Sequence, residues 1–275
     1  MESYLNMNNK DKFNYDSILE FSTKLAQKAG ELIKTERNKK LILDYKNGIE
    51  LVTSADIMSD KLIREEIYKH YPEHKIYSEE FIQDDLSDDF FVEPLWIIDP
   101  IDGTVNYAHG HYQVAISIAF AYGGQLKTGV VYNPFLNETF TGIRDKGSWL
   151  NGVNVNCSKT KDLKRAIIGT GFPYEKDDIG LLLRRIEALL RNCQGTRRLG
   201  SAALDICWVA SGRLDGYYET IKLWDFAAAY VIARESGARL GNINLSANNL
   251  PREFNGNDFI VENPDIYDQL VNILK

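Results

Sequence analysis

A chain of 275 residues with 44% hydrophobic side chains can bury a sizeable core, as one large domain or as two packed halves. That composition excludes a disordered or collagen-like protein. The formal net charge of −7 excludes a general nucleic-acid binder, which needs a net basic face to neutralise phosphates.

Residues 1–12 are polar and lack a basic segment followed by an apolar one, so no secretory signal is expected. Ile18, Phe21, Leu25, Ala29, Leu32 and Ile33 recur at three- and four-residue steps and predict an amphipathic helix over Tyr15–Arg37, capped by Asp16 or Ser17. Gly48 marks a turn before a short strand at 49–53. A second helix runs over 56–71, with Ile57, Leu62, Ile63, Ile67 and Tyr68 as its apolar face and Pro72 as its stop. Lys75–Ser78 reads as a strand. The acid-rich run 83–93, with Asp84, Asp85, Asp88, Asp89 and Glu93, reads as a solvated loop. Residues 95–98 form a short buried strand ending at Asp99-Pro100. Segments 114–122 and 127–132 make a hairpin over Gly123-Gly124, and Glu138–Ile143 adds a strand. Even the apolar run 114–122 is far shorter than the roughly 20 residues of a membrane-spanning helix, so no membrane contact is expected.

The turn-rich segment 147–152 marks a boundary between an N-terminal half, 1–152, and a C-terminal half, 153–275. In the second half, 166–170 is a strand, Ile179–Asn192 and 201–211 are helices, Gly216–Glu219 is a strand and 225–236 is a helix. Helix and strand alternate without a strict repeat, which points to a layered α/β or α+β architecture. Cys157, Cys193 and Cys207 are far apart and form no C-x-x-C pair. They read as buried small hydrophobes in a reducing cytoplasm.

The sharpest local feature is Trp96-Ile97-Ile98-Asp99-Pro100-Ile101-Asp102-Gly103-Thr104. An apolar strand delivers two carboxylates three residues apart, with Pro100 stiffening the backbone between them. Carboxylates gathered at one point need a cation, and oxygen-only ligands favour a hard ion, Mg²⁺ above all. Free backbone N–H groups at Gly103 and Thr104 form a natural phosphate cradle beside it. Asp56, Glu79-Glu80 and Trp224-Asp225 stand at comparable strand-to-helix or strand-to-loop junctions, where binding residues gather. Taken singly, each of these reads as a helix cap or a surface acid rather than as a ligand.

Asp99-Pro100-Ile101-Asp102-Gly103-Thr104 resembles the D-P-I/L-D-G-T signature of the inositol monophosphatase family, whose members are Mg²⁺-dependent, lithium-sensitive phosphatases. Trp224-Asp225-Phe226-Ala227-Ala228 resembles its W-D-x-A-A/G signature. Leu51-Val52-Thr53-Ser54-Ala55-Asp56 is similar to its L-V-T-x-x-D, and Ser78-Glu79-Glu80 to its G-E-E, with serine in place of glycine. Gly200-Ser201-Ala202-Ala203 and Tyr217-Tyr218-Glu219 complete the likeness, which runs in order from about residue 15 to 240. Two loops, 46–56 and the one between Glu219 and Trp224, are each one residue shorter than in the animal enzymes, and Ala229 stands where glycine is frequent.

The resemblance implies a layered αβαβα sandwich of two closely packed halves, a homodimer, and two or three Mg²⁺ per active site. It implies metal ligands at Glu79, Asp99, Asp102, Asp225 and the Ile101 carbonyl. Glu79 and Thr104 would orient and deprotonate the attacking water, with Asp56 holding Thr104. Gly103 and Thr104 would cradle the phosphate. Gly200, Ser201, Ala202, Glu219 and Asp225 would contact the alcohol. The implied reaction is in-line attack of water on a phosphomonoester, without a phosphoenzyme.

Inositol monophosphate is the expected substrate. Fructose 1,6-bisphosphate, NADP(H) and 3′-phosphoadenosine 5′-phosphate are the rivals, and a non-catalytic regulatory binding protein is the alternative from another class. A haloacid-dehalogenase-type site is disfavoured, because its D-x-D-G-T places the acids two apart. His109-Gly110-His111 lacks a third histidine for zinc, and Gly169-x-Gly171 lacks the third glycine of a dinucleotide fingerprint. Arg184, Arg185, Arg191, Arg197 and Arg198 read as solvated helix and loop ends, or else as contacts to a second phosphate.

Overall fold

The computed structural model describes residues 13–39, 41–46, 48–81, 88–172, 179–244 and 250–275. Residues 1–12 and 82–87, which include the first part of the acid-rich run, lie outside the described residues. The rest of that run is not simply a solvated loop: Asp88–Phe91 forms a 3-10 helix that buries Phe90 and Phe91.

The chain opens with helix α1 (Tyr15–Arg37), a ribbon of β1 (Leu43–Lys46) and β2 (Glu50–Thr53), and helix α2 (Ser54–His70). Strands β3 (Lys75–Ser78) and β4 (Leu95–Asp102) follow, then the short helix α3 (Thr104–Ala108). Strands β5 (Ala115–Tyr122), β6 (Gln125–Asn133), β7 (Glu138–Ile143), β8 (Gly147–Leu150) and β9 (Val153–Asn154) complete a seven-stranded sheet in sequential order. Residues 147–152, read as turn-rich, are thus a strand and its turn, and the first sheet runs on to Asn154.

A second, five-stranded sheet has the order β11-β10-β12-β14-β13. It is built from β10 (Ile167–Thr170), helix α4 (Ile179–Asn192), β11 (Gly195–Arg197), helix α5 (Ala202–Ala210), β12 (Gly216–Glu219), helix α6 (Leu223–Glu235), β13 (Arg239–Asn242), β14 (Phe259–Glu262) and helix α7 (Tyr267–Leu274).

Strand alternation sorts these elements into layers. On β4, Trp96 and Ile98 face α1 and α2, while Leu95 and Ile97 face α5 and α6. On β5, Ile116, Ile118 and Phe120 point the first way, and the small Ala115, Ala119 and Ala121 the second. Tyr217, Phe259 and Val261 close the α5–α6 layer from the second sheet. Tyr218 and Ile260 point outward beneath α4 and α7, with Leu189, Leu270 and Leu274. The result is an αβαβα sandwich.

Helix α6 lies between the two sheets and is apolar all round, as such a position requires. Its approach is close. A Cβ at Gly129 of β6 would lie 2.1 Å from the Ala228 carbonyl oxygen, so a side chain there would push the layers apart.

Two local expectations change. Helix α1 is capped by Asn14, whose Oδ1 accepts from the N–H groups of Asp16 and Ser17. Helix α2 buries only part of the face expected of it: Ile63 and Ile67 are buried, but Ile57 and Tyr68 are exposed, and Asp56, Ser59 and Asp60 are buried in their place. Those polar groups have partners on β3, on β4 and on the helix itself. Ser59 Oγ donates to the Pro100 carbonyl (3.0 Å), and Asp60 accepts from Ser78 Oγ (2.5 Å) and Arg64 Nε (2.7 Å). Helix α2 therefore braces the ends of β3 and β4, where the site lies.

Candidate active site

Strand β4 leaves regular pairing with β5 between Asp99 and Asp102. Asp99 Oδ1 accepts from the Ile101 N–H (3.0 Å), which turns the backbone so that both acids face one cavity. Gly103 then takes φ 91°, and a Cβ there would stand 2.7 Å from the Gln113 carbonyl oxygen. Only glycine fits this corner. Asn106 of α3 donates to the carbonyls of Gln113 (2.9 Å) and Leu199 (2.8 Å), tying the corner to the second half of the chain.

Asp225 arrives from α6, where its Oδ2 closes a capping box on the Lys222 N–H (2.7 Å). Oxygens of Asp99, Asp102 and Asp225 lie within 4.8 Å of one another. Asp102 also crosses between the halves: it accepts from Ser201 Oγ (2.5 Å), Ala202 N–H (3.2 Å) and Ala203 N–H (2.8 Å) at the start of α5.

Burial pushes Asp102 up to about 6 despite those donors. Asp99 and Asp225 are pushed well above the usual carboxylate range, by burial first and then by the neighbouring acids. Two buried carboxyls and a half-buried one that repel one another fit a bound cation, and an all-oxygen donor set suits a hard one. The Ile101 carbonyl and Glu79 line the same cavity, of about 420 Å³.

Glu79 is not among the three. Its carboxylate lies 3.3 Å from Lys46 Nζ, which also reaches Glu80 at 2.5 Å. Burial, then the charges of Glu80 and Asp56, raise Glu79 to about 7 against the opposing pull of Lys46.

Asp56 sits beneath the cavity floor as the third residue of α2. Its Oδ2 accepts from Thr53 N–H (2.9 Å) and Thr53 Oγ (2.5 Å). Its Oδ1 lies 3.0 Å from Thr104 Oγ1, which also lies 3.1 Å from the Ile101 carbonyl. Gly103 and Thr104 line the cavity on one side, Glu219 and Thr220 on the other. A smaller cavity of about 100 Å³ adjoins it and takes in Gly200, Ser201 and Ala202. Each expected metal ligand, phosphate contact and alcohol contact therefore lines one of the two cavities, while Asp56 lines neither and meets Thr104 from below.

The arginines divide. Arg185 is buried, with Nε donating to the Leu274 carbonyl and Nη1 paired with Asp258 (both 2.8 Å), so it is neither solvated nor near a substrate. Arg191 pairs with exposed Glu187 on its own helix. Arg198 lines the smaller cavity.

The sequence reading missed Lys46, Phe172 and Asp205, which also line the cavities. Asp205 had a signal, as the one acid in an otherwise apolar helix. Lys46 had none, because only the ribbon's fold brings it to Glu79.

The family model described as inositol monophosphatase family matches residues 14–274. The Nus factor SuhB of Pasteurella multocida is 37% identical over 231 residues, spanning 82% of this chain and 85% of its own. Inositol monophosphatase 1 of Solanum lycopersicum is 36% identical over 230 residues, with 82% and 84% covered. Among solved structures, the Thermotoga maritima IMPase matches with a TM-score of 0.82 at 32% identity, covering 94% of this chain and 96% of that one.

Proposed function

Because the chain belongs to the inositol monophosphatase family and is a phosphoric monoester hydrolase, we propose that it hydrolyses a phosphorylated polyol, myo-inositol monophosphate foremost. The observation that carries this reading is the buried cluster of Asp99, Asp102 and Asp225 at the mouth of two joined cavities. The first cavity has room for a phosphate, and the second for an alcohol.

In this reading Asp99, Asp102, Asp225, Glu79 and the Ile101 carbonyl hold two or three Mg²⁺. Bound Mg²⁺ supplies a nucleophilic water near neutral pH and offsets the charge of the phosphate and the departing oxygen. Glu79 accepts the proton of the attacking water, which requires its carboxylate to leave Lys46. Thr104, fixed by Asp56 and the Ile101 carbonyl, orients that water. The N–H groups of Gly103 and Thr104, free at the start of α3, bind phosphate oxygens. Gly200, Ser201, Ala202, Glu219 and Asp225 contact the alcohol.

In the same reading the first half ends with β9 at Asn154 and carries most of the ligands, and the second half carries the alcohol contacts. No helix among the described residues is long and apolar enough to cross a membrane. Work in the cytoplasm as a homodimer, with lithium sensitivity, belongs to the same reading.

Phosphate release from inositol 1-phosphate, fructose 1,6-bisphosphate, NADP(H) and 3′-phosphoadenosine 5′-phosphate tests it, with Mg²⁺, with EDTA, and with Mg²⁺ plus lithium. Mg²⁺-dependent, lithium-inhibited release led by inositol 1-phosphate is expected. A bisphosphate or NADP(H) in the lead would replace the substrate. No release from any of them, with Mg²⁺ bound, would shift the reading to a regulatory binder, the role that the name of the Pasteurella relative suggests.

A further inference from the structure

The smaller cavity contains a group that the proposed reaction does not use. Asp205 stands on α5 in the sequence Ala-Ala-Leu-Asp-Ile-Cys-Trp-Val-Ala and is only 1% exposed. Its Oδ1 is buried without a hydrogen-bond partner. Leaving such an atom unanswered costs about 1–3 kcal/mol, and a leucine would fill the position at no such cost. Folding alone therefore gives no reason for an acid here.

The surroundings indicate what would answer it. Glu219 lines the same cavity, and the Tyr217 hydroxyl donates to its Oε2. A Cβ at Gly171 would come within 1.8 Å of the Glu219 carboxylate, so the backbone leaves that acid its space. Arg198 covers the rim, its guanidinium 5.5 Å from the centre of the Phe172 ring. Four acids, Asp102, Asp205, Glu219 and Asp225, line this small cavity and outnumber Arg198, so together they disfavour a second phosphate. They suit a neutral ligand that donates hydrogen bonds, and the cavity opens beside Asp102, Gly103 and Asp225, which also line the larger one.

We propose that Asp205 is a specificity-determining residue: its free carboxyl oxygen receives a hydroxyl of the alcohol half of the substrate, alongside Glu219. The site then reads neighbouring hydroxyls of a polyol and discriminates against phosphate esters whose alcohol carries none. This inference rests on the phosphatase reading and narrows its substrate class.

The test compares wild type, Asp205→Asn and Asp205→Leu on inositol 1-phosphate and on p-nitrophenyl phosphate, whose alcohol has no further hydroxyl. The ratio of the two kcat/KM values should fall about tenfold or more in the leucine variant, mainly through KM on the polyol substrate. It should fall less in the asparagine variant, which keeps an oxygen acceptor. The thermal midpoint of the leucine variant should match or exceed that of wild type.

A ratio within twofold of wild type overturns the inference, as does a lowered midpoint with both substrates losing equally. If the leucine variant does not fold, the ratio in the asparagine variant decides in the same way. Wild type active on the aryl ester but not on the polyol ester would overturn this inference alone. Wild type inactive on both with Mg²⁺ would overturn the phosphatase reading with it.

Discussion

Replacing Glu262 by glutamine should stabilise the protein at neutral pH and change little in acid. Glu262 ends β14 with no exposed surface, and neither carboxyl oxygen has a hydrogen-bond partner. Arg239 stands opposite it in the sheet, but the guanidinium lies over the Tyr267 ring, 3.4 Å from its centre. Burial therefore dominates and lifts the carboxyl from 4.5 to about 9, with Arg239 pulling down and Asp268 pushing up by less.

In the unfolded chain this group ionises near 4.5, while in the folded protein it keeps its proton to about 9. Between those values the folded state binds more protons, so stability falls as pH rises. At pH 7 the pH exceeds the unfolded value by about 2.5, and each unit is worth about 1.4 kcal/mol, a cost of roughly 3 kcal/mol. Glutamine is neutral in both states and escapes it. Urea denaturation at pH 4.5, 7 and 9 should show a gap between variant and wild type that starts near zero. It should reach roughly 3 kcal/mol at pH 7 and keep growing towards pH 9, with an unchanged denaturant slope. A gap that does not vary with pH, or a glutamine variant less stable at pH 7, would refute the reasoning.

Asp99→Asn should cut phosphate release by at least about a hundredfold, yet raise the thermal midpoint without Mg²⁺ by relieving the buried cluster. If Mg²⁺ raises the midpoint of this variant as much as that of wild type, Asp99 is not a ligand. Without metal, Glu79 titrates near 7 and Asp102 near 6. A cation requires both ionised, so Mg²⁺ affinity should climb as pH rises through 6 to 7, with protons released on binding. Calorimetry at pH 6 in two buffers of different ionisation heat counts those protons, and a count of zero contradicts the prediction. Ser201→Ala removes the hydroxyl that donates to Asp102 and caps α5 at Leu204. It should cost about 1–2 kcal/mol of stability by denaturant titration and weaken Mg²⁺ binding at pH 6, and Ser201→Thr should recover most of both losses.

Much of the architecture was legible in local patterns. The periodicity of Ile18, Leu25, Ala29 and Ile33 marks the buried stripe of α1. The hairpin over Gly123-Gly124 is visible in its turn residues, and the elements from β10 through α6 follow the expected order except for β11. Strands β1, β8, β9, β11, β13 and β14, two to four residues long, escaped the reading. So short a run carries little periodicity, and pairing with a partner decides it. Helix α7 was likewise not read.

The sequence by itself singled out the residues proposed to carry the chemistry. Asp99, Asp102, Gly103 and Thr104 stand out as the end of an apolar strand and its turn, and Asp56, Glu79 and Asp225 through the family resemblance. Only the tertiary structure decided how they meet. Asp102 accepts its hydrogen bonds from Ser201 and Ala203, about a hundred positions away. Helix α2 buries Ser59 and Asp60 instead of Ile57, because β4 and β3 supply partners that no helical pattern reveals. Arg185 lies in the core because Asp258 and the Leu274 carbonyl meet it there. Local patterns record the preferences of a segment, whereas burying Ser59, Asp60 or Asp102 at low cost needs a hydrogen-bond partner from another segment. That second condition is met in three dimensions alone.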